Sequence, residues 1–107
     1  MPAGATSLSQ LVRATSEGPA RTWDLFPRKG AIAVGSDADL TIIDLDVADT
    51  IAENRLHGKN NHTPFEGYPT RGAAVATVVR GHVVMQDGQL TGSPIGTMVQ
   101  RHAVKER

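Results

Sequence analysis

Four histidines and eleven Asp and Glu side chains are what this 107-residue chain offers for holding a metal or moving a proton. A metal centre needs several such groups converging, ordinarily announced by spacings such as His-x-His or His-Glu-x-x-His. Neither spacing occurs. His57 and His62 stand five positions apart, close enough to suggest a joint ligand role, but their Asn- and Gly-rich surroundings predict a loop in which both are solvated. His82 falls in a predicted strand and His102 in a charged tail, so each reads as a surface side chain rather than a base.

Asp37, Asp39, Asp44, Asp46 and Asp49 form the densest acidic stretch, and Asp37-x-Asp39 opens like a calcium loop. The loop rule then fails, because Ile42 stands where Gly is needed and Ala48 where a bidentate Glu is needed. These aspartates read as turn residues flanking strands. Gly30 and Gly35 have the glycine spacing of a phosphate loop, but Ser36-Asp37 occupies the place of its Lys-Ser/Thr, and an Asp repels phosphate. No serine sits in a Gly-x-Ser-x-Gly elbow. Trp23 and Phe26, at the junction of a short helix with Pro27, read as anchors of the helices on a sheet rather than as a stacking platform. Arg28-Lys29, two adjacent cations before a glycine, reads as solvated. The residues themselves therefore assign no catalytic and no metal-binding side chain, and leave substrate-binding residues unassigned.

Composition narrows the partners. Eleven basic and eleven acidic side chains cancel, which removes the electrostatic footprint of a nucleic-acid or acidic-membrane binder. Cysteine is absent, so neither a disulfide framework nor a thiolate site can form. No stretch approaches the ~18 apolar residues of a membrane span, and Met-Pro-Ala-Gly-Ala-Thr-Ser has no basic region followed by an apolar run. A cytoplasmic location is expected, and Asn61-His62-Thr63 is then a glycosylation acceptor in form only.

The elements that would carry these residues are helices first and strands afterwards. Ser7 with Gln10 reads as a capping box, and Leu8, Leu11, Val12 and Thr15 recur at helical spacing, predicting a helix over 8–17 that Gly18-Pro19 stops. Pro19 suits the start of a second short helix ending before Pro27. Ala31–Val34 and Leu40–Ile43 are β-branched runs around Gly35-Ser36-Asp37, and both are predicted strands. Ala73–Val79 and His82–Met85 flank Arg80-Gly81 as a hairpin, with Asp87-Gly88 as a further turn. The strands are apolar at consecutive positions, the pattern of strands covered on both faces. At this stage the chain reads as a small α+β domain.

Several strings in order resemble one family. Ser16-Glu17-Gly18-Pro19-Ala20-Arg21 is similar to the Ser-Glu-Asn-Pro-Ala-Arg/Lys segment of the dihydropyrimidinase, hydantoinase and allantoinase branch of the amidohydrolase superfamily. The run from Leu25 to Leu40 resembles that branch's Leu-Tyr-Pro-Arg-Lys-Gly-x-Ile-x-Val-Gly-x-Asp-Ala-Asp-Leu signature, the most specific of the matches. Thr63-Pro64-Phe65-Glu66-Gly67, then Val79-Arg80-Gly81-His82-Val83-Val84 and Asp87-Gly88, follow in the same order. Gly18 replaces the usual Asn, and the segment from Leu56 to Asn61 also departs from the branch.

The resemblance implies a fragment of an enzyme that hydrolyses ring C–N amide bonds, its full-length fold an α/β barrel joined to a small β-sandwich. Residues 1–27 would be a helical segment packing on a barrel this chain does not contain. Residues 28–46 would be sandwich strands, 47–71 an irregular connection, 72–91 a sandwich hairpin and 92–107 an extended tail. Two divalent metals, zinc being usual, are implied for the full-length enzyme, with a His-x-His, a carboxylated Lys, two further His and an Asp as ligands upstream of this chain. The chain alone is expected to be inactive, to partner the upstream barrel and to self-associate. The alternative reading is a non-catalytic β-rich module for binding or oligomerisation. An upstream reading frame with His-x-His and a barrel pattern would separate the two.

Overall fold

The computed structural model describes residues 6–100, and the charged tail from Arg101 onward, His102 included, lies outside them. The chain divides into two compact units. The first takes residues 6–39, 79–82 and 93–100 of the described chain, and the second takes Leu40–Val78 and Val83–Gly92.

The first unit starts with helix α1, Leu8–Val12. Its capping box forms as expected, with Ser7 Oγ accepting from Gln10 N at 3.1 Å and Gln10 Oε1 accepting from Ser7 N at 2.9 Å. The helix does not stop at Gly18-Pro19. It widens into a π-helical segment, Arg13–Glu17, and continues as α2, Gly18–Thr22. A proline ring clashes with the carbonyl four residues back in a regular α-helix, and the looser π turn accommodates it. Past α2 the chain folds back, with Leu25 N and Phe26 N both donating to Ala20 O, at 2.8 and 3.1 Å. Ala20, 6% exposed, is the one buried hydrophobic side chain among the described residues. Gly30 packs beside it at φ 86°, where a Cβ would come within 2.7 Å of Ala20 Cβ, so no larger residue fits there without movement. Trp23 is 69% exposed, so it does not anchor the helices on a sheet as its position predicts. Phe26 lies under Arg21, whose guanidinium carbon is 3.8 Å from the ring centroid.

The expected strand Ala31–Val34 does not form. Ser36 N donates to Ala33 O at 3.0 Å, closing a turn with Gly35 at φ 94°. Turn and ladder compete for the same backbone groups, and the turn wins where no neighbouring strand completes a ladder.

The second unit is built on one sheet with the order β1-β2-β3-β4: Leu40–Thr50, Pro69–Val79, His82–Gln86 and Gln89–Leu90. β1 runs antiparallel to β2 from Leu40 opposite Val78 to Thr50 opposite Pro69, with irregularities between Ile42 and Ile43 and between Asp44 and Ala48. Both strands exceed the predicted Leu40–Ile43 and Ala73–Val79. Pairing with β2 carries the ladder through Asp44 and Asp49, residues that local propensity disfavours. Arg80 and Gly81 (φ 46° and 83°), then Asp87 and Gly88 (φ 50° and 80°), are two-residue turns with positive φ at both positions, the geometry that matches strand twist. The irregular connection shortens to 51–68. Ile51 N donates to Tyr68 O at 2.9 Å and Gly67 N to Ile51 O at 2.8 Å, so its two ends are zipped together. Ile42, Ile43, Leu45, Val83 and Leu90 remain exposed on the sheet, in keeping with strands patterned for cover on both faces.

Candidate functional site: two ionic clasps and a cleft

Charge in the first unit concentrates around Lys29. Its Nζ lies 2.8 Å from Asp37 Oδ2 and also bonds Asp39, while Arg28 Nε donates to Asp37 Oδ2 at 2.9 Å. Asp39 Oδ1 accepts from Arg80 N at 2.7 Å, and Gly81 N donates to Ala38 O at 3.0 Å, which ties the hairpin tip into the same knot. The hydrogen bonds from Lys29 and Arg28 hold the Asp37 carboxyl below the usual carboxylate range, and the bond from Lys29 does the same for Asp39. Lys29 is pushed up in turn by Asp37 and Asp39. Asp37 and Asp39 are therefore counter-ions. The reading of Arg28-Lys29 as solvated charge misses these bonds, and the signal for them was present: two cations before a glycine loop and two carboxylates after it.

In the second unit a cleft of about 790 Å³ is lined by Asp49, Arg55, His57 and Asp87 among others. Arg55 Nη1 bonds Asp49 Oδ2 at 2.7 Å and Nη2 bonds Asp49 Oδ1 at 3.0 Å, a bidentate pair that lowers the aspartate and raises the arginine. Arg55 also reaches Thr50 O. Nearby in sequence, His62 Nδ1 stands 3.5 Å from Glu53 Oε2, while Glu53 Oε1 accepts from Thr63 N at 3.1 Å. His57 and His62 thus have different surroundings, His57 on the cleft wall and His62 beside Glu53. His82 is exposed at the start of β3.

These arrangements brace loops. Arg28, Lys29 and Arg55 are each matched to a carboxylate, and among the described residues no group of three or more His, Asp or Glu could hold a metal ion. Gly30 and Gly35, the glycines with phosphate-loop spacing, serve respectively to seat the loop on α2 and to turn it. No helix of the described residues is long and apolar enough to cross a membrane.

Comparison with known proteins gives these loops a context. A family model described as "Amidohydrolase family" matches residues 1–85. The chain is 41% identical over 87 residues to the L-hydantoinase of Paenarthrobacter aurescens, covering 81% of this chain and 19% of that enzyme. To the dihydroorotase of Methanothermobacter thermautotrophicus it is 45% identical over 87 residues, covering 81% of this chain and 20% of the other. The solved L-hydantoinase (dihydropyrimidinase) from Arthrobacter aurescens superposes with a TM-score of 0.80 at 40% identity, over 83% of this chain and 20% of that one. The chain thus spans about one fifth of the length of the relatives it matches.

Proposed function

Because the chain belongs to the amidohydrolase family, with most of its length in the match, we propose that it is a structural part of a cyclic-amide hydrolase of the hydantoinase, dihydropyrimidinase or allantoinase type. The reaction is hydrolysis of a ring C–N amide bond. The observation that carries this reading is the superposition on a hydantoinase at 0.80 and 40% identity over only 20% of that enzyme. Exposure supports it. Ile42, Ile43, Leu45, Val83 and Leu90 lie open on the sheet of the second unit, an apolar surface of the kind that a partner covers.

The rest of such an enzyme, an α/β barrel, is the proposed partner, with residues 1–27 packing on it and the strands of 28–46 and 72–91 forming its share of a small β-sandwich. The connection would drape over the barrel. Two divalent metals, zinc by preference, are proposed for the complete enzyme. The same reading puts their ligands in the remaining chain; among the described residues no group of three or more His, Asp or Glu that could hold them is assembled. Here Lys29, Asp37 and Asp39 hold a loop in shape. Without the barrel, the exposed apolar side chains of the sheet lead to self-association, read by light scattering at several concentrations. The cytoplasm is the proposed compartment, in keeping with a chain that has no cysteine.

The test is activity. The purified chain should not hydrolyse hydantoin, dihydrouracil, allantoin or dihydroorotate, with or without zinc or manganese. The P. aurescens L-hydantoinase in which this chain replaces the aligned stretch should hydrolyse hydantoin. Turnover by the chain alone that survives chelation and repletion, or an inactive chimera, would refute the proposal.

A further inference from the structure

The loop from Gly30 to Asp37 presents two β-branched apolar side chains to water: Ile32 is 91% exposed and Val34 108%. Val34 and Gly35 are the central residues of the turn closed by Ser36 N on Ala33 O. Tips of turns ordinarily carry Gly, Pro, Asn, Asp or Ser, and a valine there forgoes burial without helping the turn.

The loop is also braced on both sides. Asp37 N donates to Arg28 O at 2.9 Å and Ser36 Oγ to Pro27 O at 2.6 Å. Lys29 bonds Asp37 and Asp39, and Gly30 is pressed against Ala20. An apolar tip on a braced stem is preorganised for contact, because little ordering remains to be done on binding.

We propose that Ile32 and Val34 form a knob that docks into an apolar pocket of the rest of the hydantoinase-like polypeptide. The inference rests on the reading of the chain as part of such an enzyme. Two observations select this occupant. Relatives carry roughly four fifths of their length beyond the matched stretch, so a large protein surface accompanies the knob. Arg28 and Lys29, the cations that would draw the loop to an acidic lipid surface, are already engaged by Asp37 and Asp39, which leaves the stem without net charge. A second copy would offer a cleft lined by Val47, Ala74, Val75 and Leu90 as well as by Asp49 and Arg55, and the concentration dependence of labelling tells it apart.

The absence of cysteine makes the test direct, since Val34→Cys or Ile32→Cys places a single thiol in the chain. Each variant is labelled with a maleimide in the isolated chain and in the L-hydantoinase chimera, and the modified peptide is quantified by mass spectrometry. Labelling should slow at least tenfold in the chimera at both positions, while Lys59→Cys in the exposed loop labels equally in both. An active chimera that labels at position 34 as fast as the free chain overturns the knob and leaves the proposed function standing. A chimera that is inactive or unfolded overturns both. Protection that appears in the isolated chain as its concentration rises points to a second copy, and protection by phosphatidylcholine vesicles points to lipid; either overturns the proposal. Far-UV dichroism checks the fold of each variant, and Val34→Thr, with nearly the shape of valine, supplies a second comparison: weaker chimera stability than with Val34 is expected, and unchanged stability counts against the knob.

Discussion

The two units hold themselves together by different means. In the first, a widened helix, one buried alanine and a knot of charged side chains fix the loops. In the second, a backbone ladder and positive-φ turns set the shape, while Ile42, Ile43 and Leu45 stay exposed. Strands pair by hydrogen bonds that any sequence can make, so their geometry survives without side-chain cover. Loops have no such default and need specific side-chain contacts.

That contrast predicts unequal glycine substitutions. Gly30→Ala in the first unit meets Ala20 and keeps a positive φ, and should cost about 2–4 kcal/mol. Gly67→Ala in the second has a similar φ of 83° but nothing within 4 Å, and should cost about 1–2 kcal/mol. Urea unfolding followed by dichroism measures both, and equal losses would remove the distinction between the units.

The ionic knot comes next in size. Asp39→Asn weakens the bond from Lys29 and the acceptor for Arg80 N, for a loss of about 1 kcal/mol. Asp49→Asn breaks a more exposed pair in the second unit and should lose less. A thermal melt of each variant in low salt, and again in high salt, orders them. The Asp39 effect should persist better in salt because its partners are less exposed.

Acid should act through the same groups. Asp37, Asp39 and Asp49 have folded-state pKa values below their unfolded ones, so their stabilisation is present above about pH 4 and is lost as the pH falls through the lowered values. Lys29 is raised, so its share is present below about pH 10.4 and is lost as the pH climbs through the raised value. Melting temperatures between pH 5 and 2 should fall more gently for Asp39→Asn than for the parent chain.

The smallest effect expected is on zinc. Calorimetric titration should show no stoichiometric tight site, and His57→Ala or His62→Ala should leave the weak heats unchanged. A tight site lost in either variant would mean that the two loop histidines cooperate after all.

Much of this was legible locally. The capping box at Ser7 and the two-residue turns at Arg80-Gly81 and Asp87-Gly88 are set by neighbours in sequence, and the structure has them where their residue types predict. The family strings, too, were readable in order, and the comparisons agree with them. What escaped depends on distant partners. Ala31–Val34 has strand-forming side chains but no ladder to join. The continuation through Gly18-Pro19 needed a π turn that residue types do not announce. The bonds of Lys29 to Asp37 and Asp39 cross a loop of about ten positions, and the Arg55–Asp49 pair appears only once the connection closes on itself.

The hydrogen bond from Arg80 N to Asp39 also bears on the order in which the molecule assembles. Its two ends lie 41 positions apart, so closing it carries a loop entropy that the contacts of Lys29 across its own short loop largely avoid. The hairpin tip must exist before Asp39 has anything to grip. We therefore expect the bond to form after the main folding barrier. Asp39→Asn should then speed unfolding and leave the folding rate nearly unchanged in stopped-flow measurements, whereas a change in the hairpin turn at Gly81 should slow folding. A folding rate that drops with Asp39→Asn would place that contact in the nucleus instead.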